Sequence, residues 1–259
     1  LVNSSDAVIN LAFINGTHNF YNRPRDVMNV AFEGQFNVLS AINKSENVKR
    51  FIYASSSEVY QQPALIPTPE EVPLIVPDIN NNRFSYGGGK IIGELTTKHY
   101  LKPEVDWQIF RPHNIYGPRM GYEHVVPQLI SRINQIVSES GSIIDVQGGG
   151  SSTRSFCYIS DFGLAFDALW RNALPSSIYN IGTELEVPIS SVVEILLSCA
   201  GASLTINSIP SPAGGTSRRC PDTSKIRDLG FNAIVDLKQG LKLSYEWYTS
   251  QNSYGGTLP

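Results

Sequence analysis

The amino-acid sequence predicts an α/β fold built on a parallel sheet. Short apolar segments bounded by polar residues, typical of buried strands, occur at residues 6–12, 50–54 and 106–111. Residues 25–43 show the apolar spacing of a helix, and a second helix is predicted to run from Tyr86 to about residue 100. Strands and helices that alternate in this way indicate a parallel sheet with helices packed against it.

The composition describes a globular chain with a large core. Its 259 residues are 41% hydrophobic, which allows one large domain or two that pack intimately. A net charge of -3 without a run of lysines or arginines argues against a nucleic-acid partner, and no apolar stretch has the length of a membrane span. Three cysteines without metal-ligand spacing fit a reducing compartment. We therefore expect a cytoplasmic protein without a metal site.

A tyrosine and a lysine one helical turn apart are the first candidates for chemistry. Tyr86 and Lys90 are four residues apart, so a helix places them on the same face. A lysine ammonium there favours the phenolate and lowers the tyrosine pKa toward neutrality, as a general acid or base requires. The serine run 55–57 follows the strand at 50–54, at the edge where open α/β sheets bind ligands. Each feature alone is common; their order along the chain is more specific.

In this order the motifs resemble those of the extended short-chain dehydrogenase/reductases that act on nucleotide sugars: epimerases, dehydratases and decarboxylases. The resemblance extends from about residue 6 to about residue 247. It is also carried by Arg-x-x-Asn-x-Tyr-Gly-Pro starting at Arg111, Thr-Arg-x-Phe-x-Tyr-Ile-x-Asp starting at Thr153, and Arg-x-Pro-Asp-x-x-Lys ending at Lys225. It implies a doubly wound parallel sheet, NAD as cofactor, and a nucleotide-diphosphate sugar, UDP-linked, as substrate.

The first predicted strand ends at Asn10-Leu11-Ala12, where the family carries His-Leu-Ala beside the cofactor. The resemblance places Leu11 and Ala12 at the NAD site, although a plain core strand fits the same residues. In the family, two earlier βα units carry the glycine-rich turn that holds the pyrophosphate. No G-x-G-x-x-G pattern lies between a strand and a helix in this sequence. We therefore expect an incomplete nucleotide-binding domain, and the absent residues would decide between NAD and NADP.

The resemblance assigns the catalytic groups to two stretches. Ser56 falls on the family's catalytic serine or threonine, which hydrogen-bonds the sugar oxygen being oxidised and relays its proton to Tyr86. Lys90 holds the tyrosine ionised and reaches the nicotinamide ribose. Ser57 and Glu58 stand where 4,6-dehydratases carry Asp-Glu; the serine removes the general acid of that reaction, which favours decarboxylases and some epimerases. A solvated loop carboxylate accounts for Glu58 equally well.

Residues near the ends of two further strands are implied to contact the cofactor and the substrate. Ala54 and the backbone at Pro112 and His113 lie along the NAD site in the family, and Asn114 hydrogen-bonds the diphosphate or the sugar. His113 has no second ligand spaced for a metal. It also stands where the family has a non-catalytic residue, so we interpret it as structural.

Two arginines are candidates for holding the substrate diphosphate. A guanidinium suits a pyrophosphate because its planar fork binds two oxygens at once and keeps its charge. Arg154 is the first candidate, with a surface salt bridge as the alternative, and Arg219 is the second. Ser57, beside the catalytic serine, is assigned to the substrate as well.

These assignments divide the chain and define a reaction. Residues 1–115 and 153–183 form the remaining NAD-binding part, and residues 116–152 and 184–259 form a smaller nucleotide-sugar-binding part. The predicted function is that of an NAD-dependent epimerase similar to UDP-glucose 4-epimerase, which acts through a transient 4-keto sugar. The alternatives are a UDP-glucuronate decarboxylase or a sugar dehydratase and, from another class, a catalytically idle relative that senses a nucleotide or binds a partner.

Two helices have further predicted roles. The helix near residues 25–43 and the Tyr86 helix would join two copies in a homodimer through a four-helix contact, as the resemblance implies. The second helix contains a run of three glycines, residues 87–89, each of which costs about 1 kcal/mol relative to alanine in an exposed helix. We expect the nicotinamide or the neighbouring helix to pack closely against them.

Overall fold

The computed structural model describes residues 1–211 and 214–252. Its strands are β1 (Ala7–Asn10), β2 (Arg50–Ala54), β3 (Asp106–Pro112), β4 (Ile115–Tyr116), β5 (Ile143–Gln147), β6 (Thr153–Ser155), β7 (Cys157–Tyr158), β8 (Ser177–Ile181), β9 (Glu186–Pro188), β10 (Thr205–Ile209) and β11 (Arg218–Arg219). Its α-helices are α1 (Thr17–Asn22), α2 (Pro24–Asn29), α3 (Gln35–Lys44), α4 (Phe84–His99), α5 (Val125–Ser138), α6 (Ile159–Asn172), α7 (Ile189–Ala200), α8 (Ser224–Asp228) and α9 (Leu237–Asn252). None of these helices is long and apolar enough to cross a membrane.

The main sheet consists of four parallel strands in the order β1-β2-β3-β8. Its central strands are apolar because both faces are covered: Phe51, Ile52 and Tyr53 of β2 are all buried. The register pairs Ala54 with Phe110 and continues one strand further to pair Pro112 with Ile181. The carboxyl ends of β2, β3 and β8 therefore meet at one edge of the sheet, and the predicted α/β fold is confirmed.

Helices cover the main sheet on both faces, as expected of a doubly wound arrangement. On one face, Leu39 and Ile42 of α3 pack with residues of the sheet. On the other face, Ala165 and Leu169 of α6 pack with Ile226 of α8. The predicted helix at residues 25–43 is present as α2 and α3, joined by the π-helical turn Val30–Gly34. Helix α8 packs on the main sheet although it lies in the range predicted to bind the sugar.

A second hydrophobic core lies beyond the carboxyl end of the main sheet. It joins α5, α7 and α9 with the parallel pair β5 and β10. Strand β6 pairs with β11 on one side and with β9 on the other, and this places Arg154 directly beside Arg219. The two predicted diphosphate ligands are therefore neighbours on adjacent strands.

The glycines of α4 admit close neighbours. A Cβ on Gly89 would lie 2.8 Å from the Cβ of Ala31, in the π-helical turn, and one on Gly87 would lie 2.7 Å from Nε2 of Gln61. The neighbouring helical segment is thus one of the groups that pack against this run, as predicted. Gly88 is different, since its nearest neighbour would be Val76 at 3.5 Å, an ordinary contact.

Candidate active site

A pocket of about 220 Å³ lies where the ends of β2 and β3 face the second core. Of the residues assigned from the sequence, it is lined by Ser56, Ser57, Glu58, Tyr86, Pro112, Asn114 and Arg219. The others lie outside its lining: Leu11, Ala12, Ala54, Lys90, His113 and Arg154. A larger groove of about 840 Å³, between α7 and α9, contains none of the assigned residues. The pocket at the strand ends is therefore the candidate active site.

Tyr86 is buried between two aromatic rings at the base of this pocket. The Phe20 ring stacks on it with centroids 4.4 Å apart, and the Phe13 ring meets it edge-on at 5.1 Å. Burial raises the pKa of Tyr86 to about 12, while a hydrogen bond with Ser56 acts in the opposite direction. The expected lowering toward neutrality is not what this arrangement produces. Neither phenylalanine was identified from the sequence, because they belong to no recognised motif.

Lys90 lies one turn further along α4, beneath the pocket. Its Nζ donates a hydrogen bond of 2.6 Å to the carbonyl oxygen of Ala54 and lies 3.9 Å from the centre of the Phe13 ring. Burial lowers the pKa of Lys90 to about 7, against the opposing effect of the Glu94 carboxylate. The nitrogen is 5.7 Å from the centre of the Tyr86 ring. Because Lys90 is itself desolvated, it stabilises a Tyr86 phenolate less than its spacing predicts.

Glu58 is a half-buried, ion-paired carboxylate. Its Oε1 accepts hydrogen bonds from Nη1 of Arg219 at 3.0 Å and from Nη2 of Arg83 at 3.4 Å. Burial acts to raise the pKa of Glu58, but Arg219, Arg83 and Arg154 together hold it below its usual value. The side chain is 17% exposed, so the alternative of a solvated loop carboxylate is wrong. Arg83 carried no motif and was not identified from the sequence.

The two predicted diphosphate ligands are in different situations. Arg219 is buried, lines the pocket and donates to Glu58 and to the Thr216 hydroxyl. Arg154 lies outside the lining and donates to the backbone carbonyls of Thr153, Thr216 and Ser217. Burial and the neighbouring Arg219 lower the pKa of Arg154 to about 10. Arg154 therefore holds the segment before β11 rather than making a surface salt bridge, and Arg219 is the better placed for an anion in the pocket.

The stretch after β3 combines one pocket residue with one structural residue. Asn114 has a φ of 40° and donates from Nδ2 to the carbonyl of Ser155 at 2.9 Å. His113 is fully buried. Its backbone N–H donates to the Ile181 carbonyl, and the Nε2 atom of its ring lies 3.1 Å from Oδ1 of Asn180. Burial lowers the pKa of His113 to about 3, so its ring is neutral at physiological pH. Strand pairing uses the backbone N–H of His113, and the contact of the Pro112 and His113 backbone with NAD stays a prediction.

The residues around Lys90 fit the nicotinamide end of NAD, the cofactor that the resemblance implies. Lys90 offers a buried ammonium, and the fully buried Nδ1 of His113 has no partner among the described residues. Leu11 and Ala12, directly after β1, are exposed. Across residues 1–211 and 214–252, β1 pairs with β2 alone, and no glycine-rich strand-to-helix turn is present. These residues therefore fit the nicotinamide end and do not supply a cradle for the pyrophosphate and adenine.

This chain is similar to nucleotide-sugar enzymes over most of its length. A UDP-N-acetyl-alpha-D-glucosaminuronate decarboxylase from Bacillus cytotoxicus is 31% identical over 258 residues, covering 96% of this chain and 78% of that protein. A probable GDP-L-fucose synthase from Oryza sativa is 29% identical over 246 residues, covering 93% of this chain and 75% of the relative. Both are similar over nearly the whole chain, so the similarity includes both cores.

Solved structures share the fold. The UDP-glucuronic acid 4-epimerase from Bacillus cereus, in complex with UDP-glucuronic acid and NAD, superposes with a TM-score of 0.83 at 24% identity. The match covers 95% of this chain and 76% of that one. The sequence model of the NAD dependent epimerase/dehydratase family matches residues 1–182, which include Ser56, Tyr86, Lys90 and the strands of the main sheet. The chain therefore belongs to the NAD dependent epimerase/dehydratase family.

Proposed function

We propose that this protein is an NAD-dependent nucleotide-sugar epimerase, similar to UDP-glucose 4-epimerase, that acts through a transient 4-keto sugar. The observation that carries the proposal is the hydrogen-bonded pair of Ser56 and Tyr86 at the pocket wall, with the ammonium of Lys90 beneath it. NAD, when bound, would accept the hydride released by oxidation of a sugar hydroxyl.

The side chains of the site have distinct roles in this proposal. The Ser56 hydroxyl binds the sugar oxygen and relays its proton to the oxygen of Tyr86. Because the pKa of free Tyr86 is raised, its hydroxyl must first release its proton, and the resulting phenolate, which accepts the proton of the sugar, is stabilised only when the positive charge of Lys90 acts on it without intervening water. The aromatic rings of Phe13 and Phe20 exclude water from this contact. Lys90 would also hold the nicotinamide ribose.

The charge of the pocket favours a substrate that carries a diphosphate. Three guanidinium groups, those of Arg83, Arg154 and Arg219, act on the single carboxylate of Glu58. This excess of positive charge suits an anion, and Arg219 and Asn114 stand at the pocket wall to bind it. We propose a UDP-sugar as the substrate.

The protonation of Glu58 separates epimerisation from dehydration. Elimination of water needs a general acid, and Glu58 is held ionised by its arginines while the neighbouring Ser57 has no acidic proton. These two residues therefore favour a reaction without elimination. Oxidation and reduction at one sugar carbon meet that condition.

Decarboxylation of a UDP-uronate is the second candidate. It is favoured by Ser56-Ser57-Glu58, which is similar to the decarboxylase pattern, and by the identity with a decarboxylase over nearly the whole chain. Release of CO2 from UDP-glucuronate by the purified protein supplied with NAD would establish this candidate instead of epimerisation.

The Tyr86→Phe variant tests the proposed function. The purified chain is incubated with NAD and, separately, with UDP-glucose, UDP-galactose and UDP-glucuronate, and the products are separated by chromatography. We expect Tyr86→Phe to lose about a thousandfold in turnover, the scale of a lost acid–base group, with UDP affinity by calorimetry unchanged.

The control for this variant is Tyr245→Phe, which removes a hydroxyl bonded to Asn134 far from the pocket. It should keep wild-type turnover. A Tyr86→Phe protein as active as wild type, or a wild-type protein that binds NAD and a UDP-sugar but converts none of these sugars, would show the proposal to be wrong.

A further inference from the structure

Glu94 extends the stripe that Tyr86 and Lys90 form on α4. The three side chains are spaced four residues apart, so they occupy one face of the helix on successive turns. Lys90 donates to the Ala54 carbonyl, and the hydroxyl of Ser55 donates to Oε1 of Glu94 at 2.5 Å. Tyr86 hydrogen-bonds Ser56. Three successive turns of α4 are therefore hydrogen-bonded to three consecutive residues, Ala54 at the end of β2 and the two serines that follow it.

Glu94 is also paired with a buried arginine. Arg111 donates from Nε to Oε1 at 2.8 Å and from Nη2 to Oε2 at 2.6 Å. The two side chains are 2% and 4% exposed. Arg111 lies on β3, one residue before Pro112 at the pocket, and also donates to the hydroxyl of Tyr60 and the carbonyl of Glu70. The pair thus connects α4 to both strands whose ends form the site.

A buried ion pair makes that connection at a large cost in desolvation free energy. Removing two charges from water costs several kcal/mol per ion, and well-packed neutral side chains of similar size often serve stability as well or better. The neutral alternative would lack a negative charge on the Lys90 face of α4. The retention of a charged pair at this buried position therefore indicates a role for the charge of Glu94 beyond packing.

Lys90 has few groups around it that can stabilise its charge. Its ammonium faces the rings of Phe13 and Tyr53 and, on its own helix, Tyr86 and Glu94. Among these, Glu94 carries the negative charge and opposes the effect of burial on the lysine. The Arg111 guanidinium is ion-paired with the Glu94 carboxylate and does not contact Lys90 in any of these bonds. The pKa of Lys90 is about 7, so its proton is only half held at neutral pH even with Glu94 present.

We propose that Glu94 is a positioning residue of the reaction, which holds Ser55, and through it Ser56, against α4 and supplies the counter-charge of Lys90. This role gains its catalytic meaning from the proposed function, in which Lys90 acts on Tyr86 as an ammonium. The electrostatic relation between Glu94 and Lys90 is independent of the reaction and is measured separately.

The first experiment titrates Lys90 directly. Protein labelled with ¹³C-lysine is followed by NMR from pH 5.5 to 10, with the Lys90 signal assigned from a Lys90→Met sample. The midpoint should fall by about one pH unit in Glu94→Gln, a tenfold loss of proton affinity, because the Glu94 carboxylate, one turn along the same face of α4, raises the pKa of Lys90 against the effect of burial. The control is Glu70→Gln, another buried carboxylate, which should leave the Lys90 midpoint unchanged.

A double variant separates electrostatics from packing. Glu94→Gln with Arg111→Met replaces the ion pair with neutral side chains of similar size and leaves no unpaired buried charge. We expect it to fold and to keep the lowered Lys90 midpoint. In turnover, both variants should lose about tenfold in kcat at pH 7.5 with KM unchanged, and should recover toward wild type as the pH is lowered and Lys90 regains its proton.

The outcomes distinguish this proposal from the proposed function. A wild-type protein without turnover would count against the epimerase, while the NMR titration would still decide the relation of Glu94 to Lys90. A folded double variant with a wild-type Lys90 midpoint would show that Glu94 is only structural. If neither variant folds, the ion pair is required for folding itself and the positioning role is overturned.

Discussion

Lys90 and Tyr86 show how burial changes what a sequence spacing implies. Four residues of separation on α4 put both groups on one face, but each is removed from water, and desolvation disfavours the charged form of either. The pKa of the lysine is lowered to about 7 and that of the tyrosine is raised to about 12. In the free protein, both groups are therefore shifted toward their neutral forms. Proton transfer to Tyr86 therefore requires that binding of substrate and cofactor favour the charged forms of Tyr86 and Lys90.

The depressed pKa of Lys90 predicts a pH-dependent cost to stability. An unfolded lysine titrates near 10.5 and the folded one near 7, so between these values the unfolded chain binds more protons. The cost is largest below about pH 7, shrinks as the pH rises, and is gone above 10.5. Lys90→Met should therefore stabilise the protein by roughly 4 kcal/mol at pH 7 and by roughly 2 kcal/mol at pH 9.

Urea unfolding of wild type and Lys90→Met at several pH values measures this difference. Lys98→Met, an exposed lysine on the same helix, is the control and should change stability by less than about 0.5 kcal/mol at every pH. The prediction would be contradicted if Lys90→Met changed the free energy of unfolding by the same amount at every pH.

Helix α4 is the element on which the site depends. Its glycines allow it to approach the π-helical turn, β2 and the segment after Ser56 more closely than alanines would. A Cβ on Gly93 would lie 2.0 Å from the hydroxyl of the buried Tyr53, far inside contact distance. The intrinsic cost of glycine in a helix is thus offset at particular positions by close packing.

The same substitution at two positions of α4 should have opposite effects. Gly88→Ala should stabilise the protein by about 0.5–1 kcal/mol, since it improves helix propensity and meets only Val76 at 3.5 Å. Gly93→Ala should destabilise it by about 2–3 kcal/mol or more, because the ring of Tyr53 must move. Thermal or urea unfolding measures both. Equal changes in the free energy of unfolding at the two positions would mean that helix propensity, and not close packing, determines the effect of replacing a glycine in this helix.

At the scale of the whole molecule, an apolar surface remains open on the helices beside the site. Phe32 and Phe36, from the π-helical turn and α3, are about half exposed, as are Leu95 and Tyr100 at the end of α4. The rings of Phe36 and Tyr100 lie 5.1 Å apart. Contiguous exposed apolar side chains of this kind mark interaction surfaces. The homodimer implied by the resemblance stays a prediction, and this surface is where we expect it.

Phe36→Glu should disrupt such a dimer. A carboxylate placed opposite its own copy would be buried without a partner, which opposes association. Sedimentation velocity should show a dimer for wild type and a monomer for the variant. Leu164→Glu, an equally exposed apolar position on α6, should stay dimeric. A monomeric wild-type protein, or a variant that sediments as wild type does, would rule out this surface.

Much of the fold and part of the site were predictable from local pattern. The apolar run Phe51–Tyr53 of β2 indicates a strand covered on both faces, and all three of these residues are buried in the sheet. Ser56 and Tyr86 were identified because their order along the chain is a motif. Strand β10 was not predicted, since it alternates between exposed and half-exposed residues and offers no apolar signal.

The chemistry of the site was decided by the tertiary structure. Glu58, Arg83 and Arg219 are distant in sequence and meet because the start of α4 and strand β11 both pack beside the segment that follows β2. Glu94 and Arg111 likewise belong to a helix and a strand that pack together. By itself the sequence determined the order of the elements and the candidates for the reacting groups, because these depend on neighbours along the chain. Their charges depend on burial and on partners from elsewhere, which exist only once the chain has folded.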